Sequence, residues 1–223
     1  ILLDEDDCLT LEKVVITFIP EVQTEIDNSV SVDQNLIQQN KGNSLAELTA
    51  NIPGVTAVQT GPNVWKPMIM GLSGQRIAIV ADGVKLDAQQ WGSEHAPEIE
   101  SNVYNNITII KGASGLKYGS DAIGGALILN QDPFSKKRIA GKNYIGYSSN
   151  GQSMYGTSIV DHRIKESHPL MFRLIGSGKL NGNYHSPSYF ISNTAGNQYY
   201  FSAMAKYKKI LSINYTNYQS KVG

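Results

Sequence analysis

The chain has 223 residues, with 19 Lys plus Arg balancing 19 Asp plus Glu. A formal net charge of zero gives no overall electrostatic reason to expect nucleic acid or an anionic membrane surface as partner. Cys8 is the sole cysteine, which excludes an internal disulfide and a multi-cysteine metal site. No apolar run approaches the ~18 residues of a membrane-spanning helix.

Ser31 to Asn40 reads as a helix, with Ser31 as N-cap and Gln34 three residues on. Ser44-Leu-Ala-Glu47 is a fuller capping box, because the hydroxyl can accept from the N3 amide while Glu47 reaches back. Leu45, Leu48 and Ile52 follow it at helical spacing, and Pro53-Gly54 stops that helix. Apolar runs bounded by Gly or Pro predict strands over 54–59, 67–70 and 76–81. Asp82-Gly83 predicts a tight hairpin turn between Ile77-Ala-Ile-Val80 and Val84-Lys-Leu86. Two further strands, 107–111 and 126–130, flank a glycine-rich stretch, so this part reads as a small α+β unit.

After Asp132-Pro133 and the basic run Lys136-Lys137-Arg138 the pattern changes. Segments 143–150, 153–164, 170–180, 198–208 and 210–218 are strand-length and rich in Tyr, Ser, Thr and Asn. Met171, Arg173 and Ile175 alternate with Phe172, Leu174 and Gly176; Tyr200, Ser202, Met204 and Lys206 alternate with Phe201, Ala203, Ala205 and Tyr207. Such alternation fits a membrane barrel with one lipid face, and equally a soluble antiparallel sheet.

The glycine-rich stretch, Gly112-Ala-Ser-Gly-Leu-Lys-Tyr-Gly-Ser-Asp-Ala-Ile-Gly-Gly-Ala126, lacks the Gly-Lys-Ser/Thr of a phosphate loop. With its flanks Ile107-Thr-Ile-Ile-Lys111 and Leu127-Ile-Leu-Asn130 it closely resembles the plug domain of TonB-dependent outer-membrane receptors. Leu45-Ala-Glu-Leu48, Ile52-Pro-Gly-Val55, Met70-Gly-Leu-Ser-Gly-Gln-Arg76 and Val80-Ala-Asp-Gly-Val-Lys-Leu86 resemble further plug motifs, in the same order. The resemblance implies an α+β plug domain over 18–135, then the first ~5 strands of an antiparallel transmembrane β-barrel over 136–223. That is too few strands to close, so the barrel is expected to be incomplete in this chain. Gly71, Arg76, Asp82, Gly83, Gly112, Tyr118, Gly119, Gly124 and Gly125 are expected to shape the plug; Gly112, Gly119, Gly124 and Gly125 would allow positive φ and close backbone packing. Plugs of this kind usually carry arginine where this chain has Met70 and Lys111, which puts their ion pairing to the wall in doubt.

Residues 1–17 form an N-terminal segment in which Leu11-Glu-Lys-Val-Val-Ile-Thr17 resembles the TonB box. The resemblance implies that Glu12, Lys13, Val14, Val15, Ile16 and Thr17 meet the TonB energy-transducing protein from the periplasm. A short β-branched run of this kind can add as a strand to a partner's sheet. Two loops are expected to face outward and touch ligand, one at Thr60 to Lys66 and one after the Asp82-Gly83 hairpin. Between them they hold both tryptophans, Trp65 and Trp91. The second, Gln89-Gln-Trp-Gly-Ser-Glu-His-Ala-Pro-Glu-Ile-Glu100, supplies Gln90, Trp91, Glu94 and His95 as ligand contacts. Glu94, His95 and Glu98 are candidate metal ligands. A directly bound metal, contact with a bound chelate, and a purely structural loop all remain open.

No nucleophile elbow or serine motif accompanies these groups, so no enzyme activity and no resident cofactor are expected. The resemblance implies import of a scarce nutrient across the Gram-negative outer membrane. A metal chelate, siderophore, haem, cobalamin or metal ion would be taken up with TonB energy, outer-membrane lipid surrounding the wall. The alternative is a truncated or soluble plug-like binding module without transport of its own. His162, His168 and His185 are expected in exposed turns or loops.

Overall fold

The computed structural model describes residues 28–61, 64–86, 99–164, 169–191, 194–208 and 210–222. β1 (Ser29–Ser31) leads into α1 (Gln34–Gln39). The expected cap is displaced: Ser31 is in the strand opposite Thr108, and Asp33 caps the helix, accepting from the Asn35 amide at 2.6 Å. A carboxylate beside first-turn amides also meets the positive end of the helix. α2 (Leu45–Thr49) opens on the expected capping box, the Ser44 hydroxyl accepting from the Glu47 amide at 3.3 Å and Glu47 accepting from the Ser44 amide at 2.8 Å. It ends at Thr49, short of Ile52.

β2 (Val55–Gly61), β3 (Val64–Ile69) and β4 (Leu72–Ser73) form an antiparallel sheet. β3 starts earlier than expected, so Trp65 and Lys66 are strand residues rather than loop residues, with Trp65 opposite Gln59. Valine and tryptophan both favour that pleated setting. Met70 (φ 50°) and Gly71 (φ 78°) make the tight turn into β4.

β5 (Ile77–Ala81), β6 (Val84–Lys85), β7 (Asn106–Lys111) and β8 (Gly125–Asn130) join β1 in a second sheet of order β1-β7-β8-β5-β6. Asp82 (φ 49°) and Gly83 (φ 85°) supply the expected hairpin turn. β5 and β8 run parallel, and every residue of β5 is buried. A strand covered on both faces needs no alternation, which explains the unbroken Ile-Ala-Ile-Val-Ala run.

The glycine-rich connection is a 3₁₀ segment, Gly112–Tyr118, whose Tyr118 packs on the small cluster of Ala78, Ile110, Ala122 and Ala126. Gly112, Gly119 and Gly125 have positive φ; Gly124 does not. Gly124 is fixed by space instead, since a Cβ there would press on Leu72 and on the Arg76 carbonyl, which accepts from the Gly124 amide at 2.8 Å. Gly125 is constrained twice over, by φ 134° and by the Ile110 carbonyl lying where a Cβ would stand.

The second half is a wall of long antiparallel strands: β9 (Ile139–Ser148), β10 (Ser153–Arg163), β11 (Leu170–Asn181), β14 (Gly196–Tyr207) and β15 (Leu211–Val222). They are ordered β9-β10-β11-β14-β15, and the small hairpin of β12 (Tyr184–His185) and β13 (Phe190–Ile191) rides in the connection between β11 and β14. The expected alternation is present: Arg173, Ile175 and Ser177 are buried while Phe172, Leu174 and Gly176 are exposed. Ile159, Ile175 and Tyr200 of the wall share one hydrophobic core with Ile37, Leu48, Ile107, Ile109 and Leu127 of the first unit.

On its far side the wall presents Ile145, Met154, Leu174, Leu180, Phe201, Ile213 and Tyr215 outward. So continuous an apolar face suits lipid rather than water. No described helix is long and apolar enough to cross a membrane. β9 and β15 are each paired on one side only, so the described strands do not close. His162 stands exposed within β10 rather than in a turn; His185 is exposed in β12; His168 lies outside the described residues.

Candidate functional site

A cleft of about 440 Å³ lies between the first unit and the wall, at the end where β9 turns into β10 and β11 leads to β14. One side is Lys41 to Leu45, Glu47, Trp65 and Ile99 to Asn102. The other is wall: Tyr147, Ser153, Tyr155, Lys179, Tyr184, Gln198 and Tyr218. The two sides are joined at Gly42 (φ 92°), whose carbonyl accepts from Lys179 Nζ at 2.7 Å. The Tyr155 ring lies over both Gly42 and Gly146, and a Cβ on either glycine would overlap it.

Lys41 is buried beneath this joint. Its ammonium donates to the carbonyls of Asn102 (2.7 Å) and Tyr104 (3.3 Å) and to Asn105 Oδ1 (2.9 Å), and stands 5.1 Å from the centroid of the Tyr144 ring. Burial pushes its pKa down to about 8, against the opposing pull of Glu100 and Asp132. A lysine depressed from its ordinary value is protonated in the unfolded chain and neutral in the folded one between about pH 8 and its normal range. Below that window its penalty is constant; through it, this group makes the fold more stable as pH rises. The urea stability of wild type relative to Lys41→Gln should therefore increase between neutral pH and pH ~10. A pH-independent difference would contradict the burial of the charge.

Glu100, one of the acidic residues of the Gln89 to Glu100 loop, is buried and accepts from the Asn102 amide at 3.1 Å and from the Ser177 hydroxyl of the wall. Its carboxyl is pushed up by desolvation. It is a structural acceptor holding that loop's exit, with its oxygens already engaged.

At the opposite end, the segment from β8 to β9 is pinned to the wall. Arg173 is 4% exposed and forks onto Asp161, Nε to Oδ1 at 2.6 Å and Nη2 to Oδ2 at 2.9 Å. Its remaining donors reach Gln131 Oε1 (3.1 Å), the Asp132 carbonyl (2.8 Å) and the Pro133 carbonyl (3.4 Å), with the Phe134 ring centroid at 4.4 Å. Asp161 also accepts from the Ser135 amide at 2.8 Å. Asp132 takes Asn105 Nδ2 at 2.6 Å and pairs with Lys142 of the wall, and these bonds hold its carboxyl below the usual range despite burial. Asp132 and Lys142 thus supply an ion pair between the first unit and the wall, with the anion on the first unit.

Residues 22–126 match the family model described as TonB-dependent Receptor Plug Domain. That segment is a plug domain of the TonB-dependent receptor kind. The first unit is accordingly the plug, and the wall is part of the barrel around it. The vitamin B12 transporter BtuB of Photobacterium profundum is 31% identical over 85 residues, 38% of this chain and 14% of that protein. BtuB of Vibrio vulnificus strain YJ016 is 24% identical over 136 residues, 60% of this chain and 22% of its own length. The chain therefore spans a minor part of the curated relatives it matches. Among solved structures, the siderophore receptor PirA from Acinetobacter baumannii superposes with a TM-score of 0.66 at 14% identity, over 86% of this chain and 32% of that one. The copper transporter OprC gives 0.63 at 14% identity, over 79% and 28%. These likenesses show the same fold, plug with antiparallel wall. The matched domain is that of a receptor family, and with the antiparallel wall it implies the outer membrane.

Of the expected ligand contacts, Trp65 lines the cleft. Gln90, Trp91, Glu94, His95 and Glu98 lie outside the described residues, as do Glu12 to Thr17. Ile99 and Glu100, where the chain re-enters the described fold, both line the cleft. Among the described residues no group of three or more His, Cys, Asp or Glu is placed to hold a metal ion. Sequence reasoning missed Lys41, Gly42, Tyr155 and Lys179. Gly42 after a helix reads as an ordinary stop, and only the strand register reveals the aromatic above it.

Proposed function

We propose that this chain forms the plug and part of the wall of a receptor that captures a scarce organic ligand outside the cell, a metal chelate or a cobalamin-type molecule. It imports that ligand with energy delivered by TonB to Glu12 through Thr17. The observation that supports this reading is the cleft itself, bounded by plug and wall together. Its aromatic, hydroxyl and mixed-charge lining gives a large organic molecule stacking surface and hydrogen-bond partners. With Lys41 and Lys179 set beside Glu47 and Glu100, the lining offers both signs of charge, which suits the several polar groups of an organic chelate. Short turns face the periplasm and longer loops the outside in barrels of this kind. The long connection carrying β12 and β13 lies at the cleft end, and only three residues join Tyr207 to Leu211 at the other. On this reading the cleft faces out, and the N-terminus is periplasmic.

Uptake and binding of a free metal ion and of its organic chelate, compared in Trp65→Ala and in Glu94→Ala/His95→Ala, test the assignment. Trp65→Ala should weaken chelate binding by about tenfold, the scale of one well-packed aromatic contact. The double variant should impair chelate uptake alone. Uptake of the free ion that depends on Glu94 and His95 would overturn the chelate reading. A soluble module is disfavoured by the apolar outward face of the wall, which predicts that the protein precipitates when detergent is removed.

A further inference from the structure

The neutral total charge conceals a difference between the two rims of the wall. At the rim where the plug is tethered, Lys136, Lys137, Arg138 and Lys208 are all exposed. Arg163 sits beside them, its amide donating to the Arg138 carbonyl at 2.8 Å and its Nη2 to the Ser135 carbonyl at 3.2 Å. The described carboxylates nearest the tether are already engaged, Asp132 by Lys142, Asp161 by Arg173 and Asp82 by the Gln131 amide. These cations are therefore not neutralised from within the described fold.

The opposite rim is different. Its turn from Ser149 to Gln152 is Ser-Asn-Gly-Gln, and the described part of the connection from Asn181 to Gly196 is built of Asn, Gly, Tyr, His, Ser, Pro, Thr and apolar residues. Neither contains a described Lys, Arg, Asp or Glu. Lys179 at that end turns inward to the plug, leaving Lys221 near the end of β15 as the outlying cation among the described residues.

The cations lie directly beyond the apolar band. Ile139 (64% exposed), Tyr207 (40%), Ile210 (79%) and Leu211 (54%) close that band at the tethered rim. Lys208 Nζ stands 5.7 Å from the centroid of the Tyr207 ring. An aromatic at the membrane boundary with an ammonium beside it matches the depth at which lipid headgroups sit, the lysine stem lying along apolar surface and the charge reaching the phosphates.

We propose that the tethered rim is a docking surface for anionic glycerophospholipid headgroups of the adjoining leaflet, held by Lys136, Lys137, Arg138 and Lys208. Charge complementarity selects this occupant, and continuity with the apolar band places its acyl chains against the wall. Each cation near an anionic lipid surface is worth about a fivefold change in association.

The test uses the assembled receptor in lipid nanodiscs and compares spin-labelled phosphatidylglycerol with phosphatidylcholine at the protein boundary. Phosphatidylglycerol should be enriched several-fold at low salt, with the enrichment lost as NaCl approaches ~1 M, where screening shortens to a few ångströms. The variant K136Q/K137Q/R138Q/K208Q should lose most of the enrichment while still binding ligand. The salt titration on wild type reads the same property should that variant fail to fold. Equal association of the two lipids, enrichment indifferent to salt, enrichment retained in the variant, or displacement of phosphatidylglycerol by lipopolysaccharide would each overturn the proposal.

Discussion

Removing Glu12 to Thr17 should abolish energised uptake and leave ligand binding unchanged. What it removes is a β-branched run able to add as a strand to a partner's sheet, where affinity comes from backbone hydrogen bonds. A single Val15→Pro change should act nearly as strongly, because proline takes away a ladder donor and fixes φ. Val15→Thr, which keeps both the amide and the branching, should be tolerated. Radiolabelled ligand uptake in energised cells, set beside equilibrium binding to the purified receptor, separates the two effects. Unchanged uptake in the deletion, or binding lost together with uptake, would refute the assignment.

Arg173→Ala should cost the fold on the order of 3–5 kcal/mol, the usual penalty for leaving one partner of a buried ion pair alone. The loss goes beyond Asp161, because the same guanidinium holds Gln131 and the carbonyls of Asp132 and Pro133. Arg173→Lys should recover little, since an ammonium cannot reproduce a planar fork spread over both partners. The double variant Arg173→Met/Asp161→Leu should be more stable than Arg173→Ala alone, because it strands no charge. Urea unfolding in detergent, with protease sensitivity of the Gln131 to Ser135 segment as a local reporter, measures both. An Arg173→Ala receptor as stable as wild type would show that the pin is dispensable.

The sequence carried the strands well, for different reasons in the two halves. In the wall, alternation divided each strand into two opposing sets, one of which proves buried and the other not, though only the structure shows which set faces inward. In the plug, the Asp82-Gly83 turn and the Ser44 capping box are local chemistry, visible within four residues. Position along the chain failed where long-range pairing decided. Ser31 was drawn into a strand by β7, leaving Asp33 to cap α1, and pairing with β2 turned the presumed loop around Trp65 into strand. The joint between Gly42, Gly146 and Tyr155 was illegible for the same reason, because it needs the β9–β10 register and the approach of a loop more than a hundred residues away.

The tether pin also bears on the order in which the protein folds. Asp161 and Arg173 are directly paired across β10 and β11 and only 12 residues apart in sequence, so one local hairpin creates the anchor. The plug must instead close a far longer loop to pair Ser29 with Ile110. Short closures cost less chain entropy and form sooner. The wall therefore has a mooring ready for the end of the plug before the plug has closed its own sheet. A plug that unravels from its first strand stays attached, and can refold beside the wall without having to find it again.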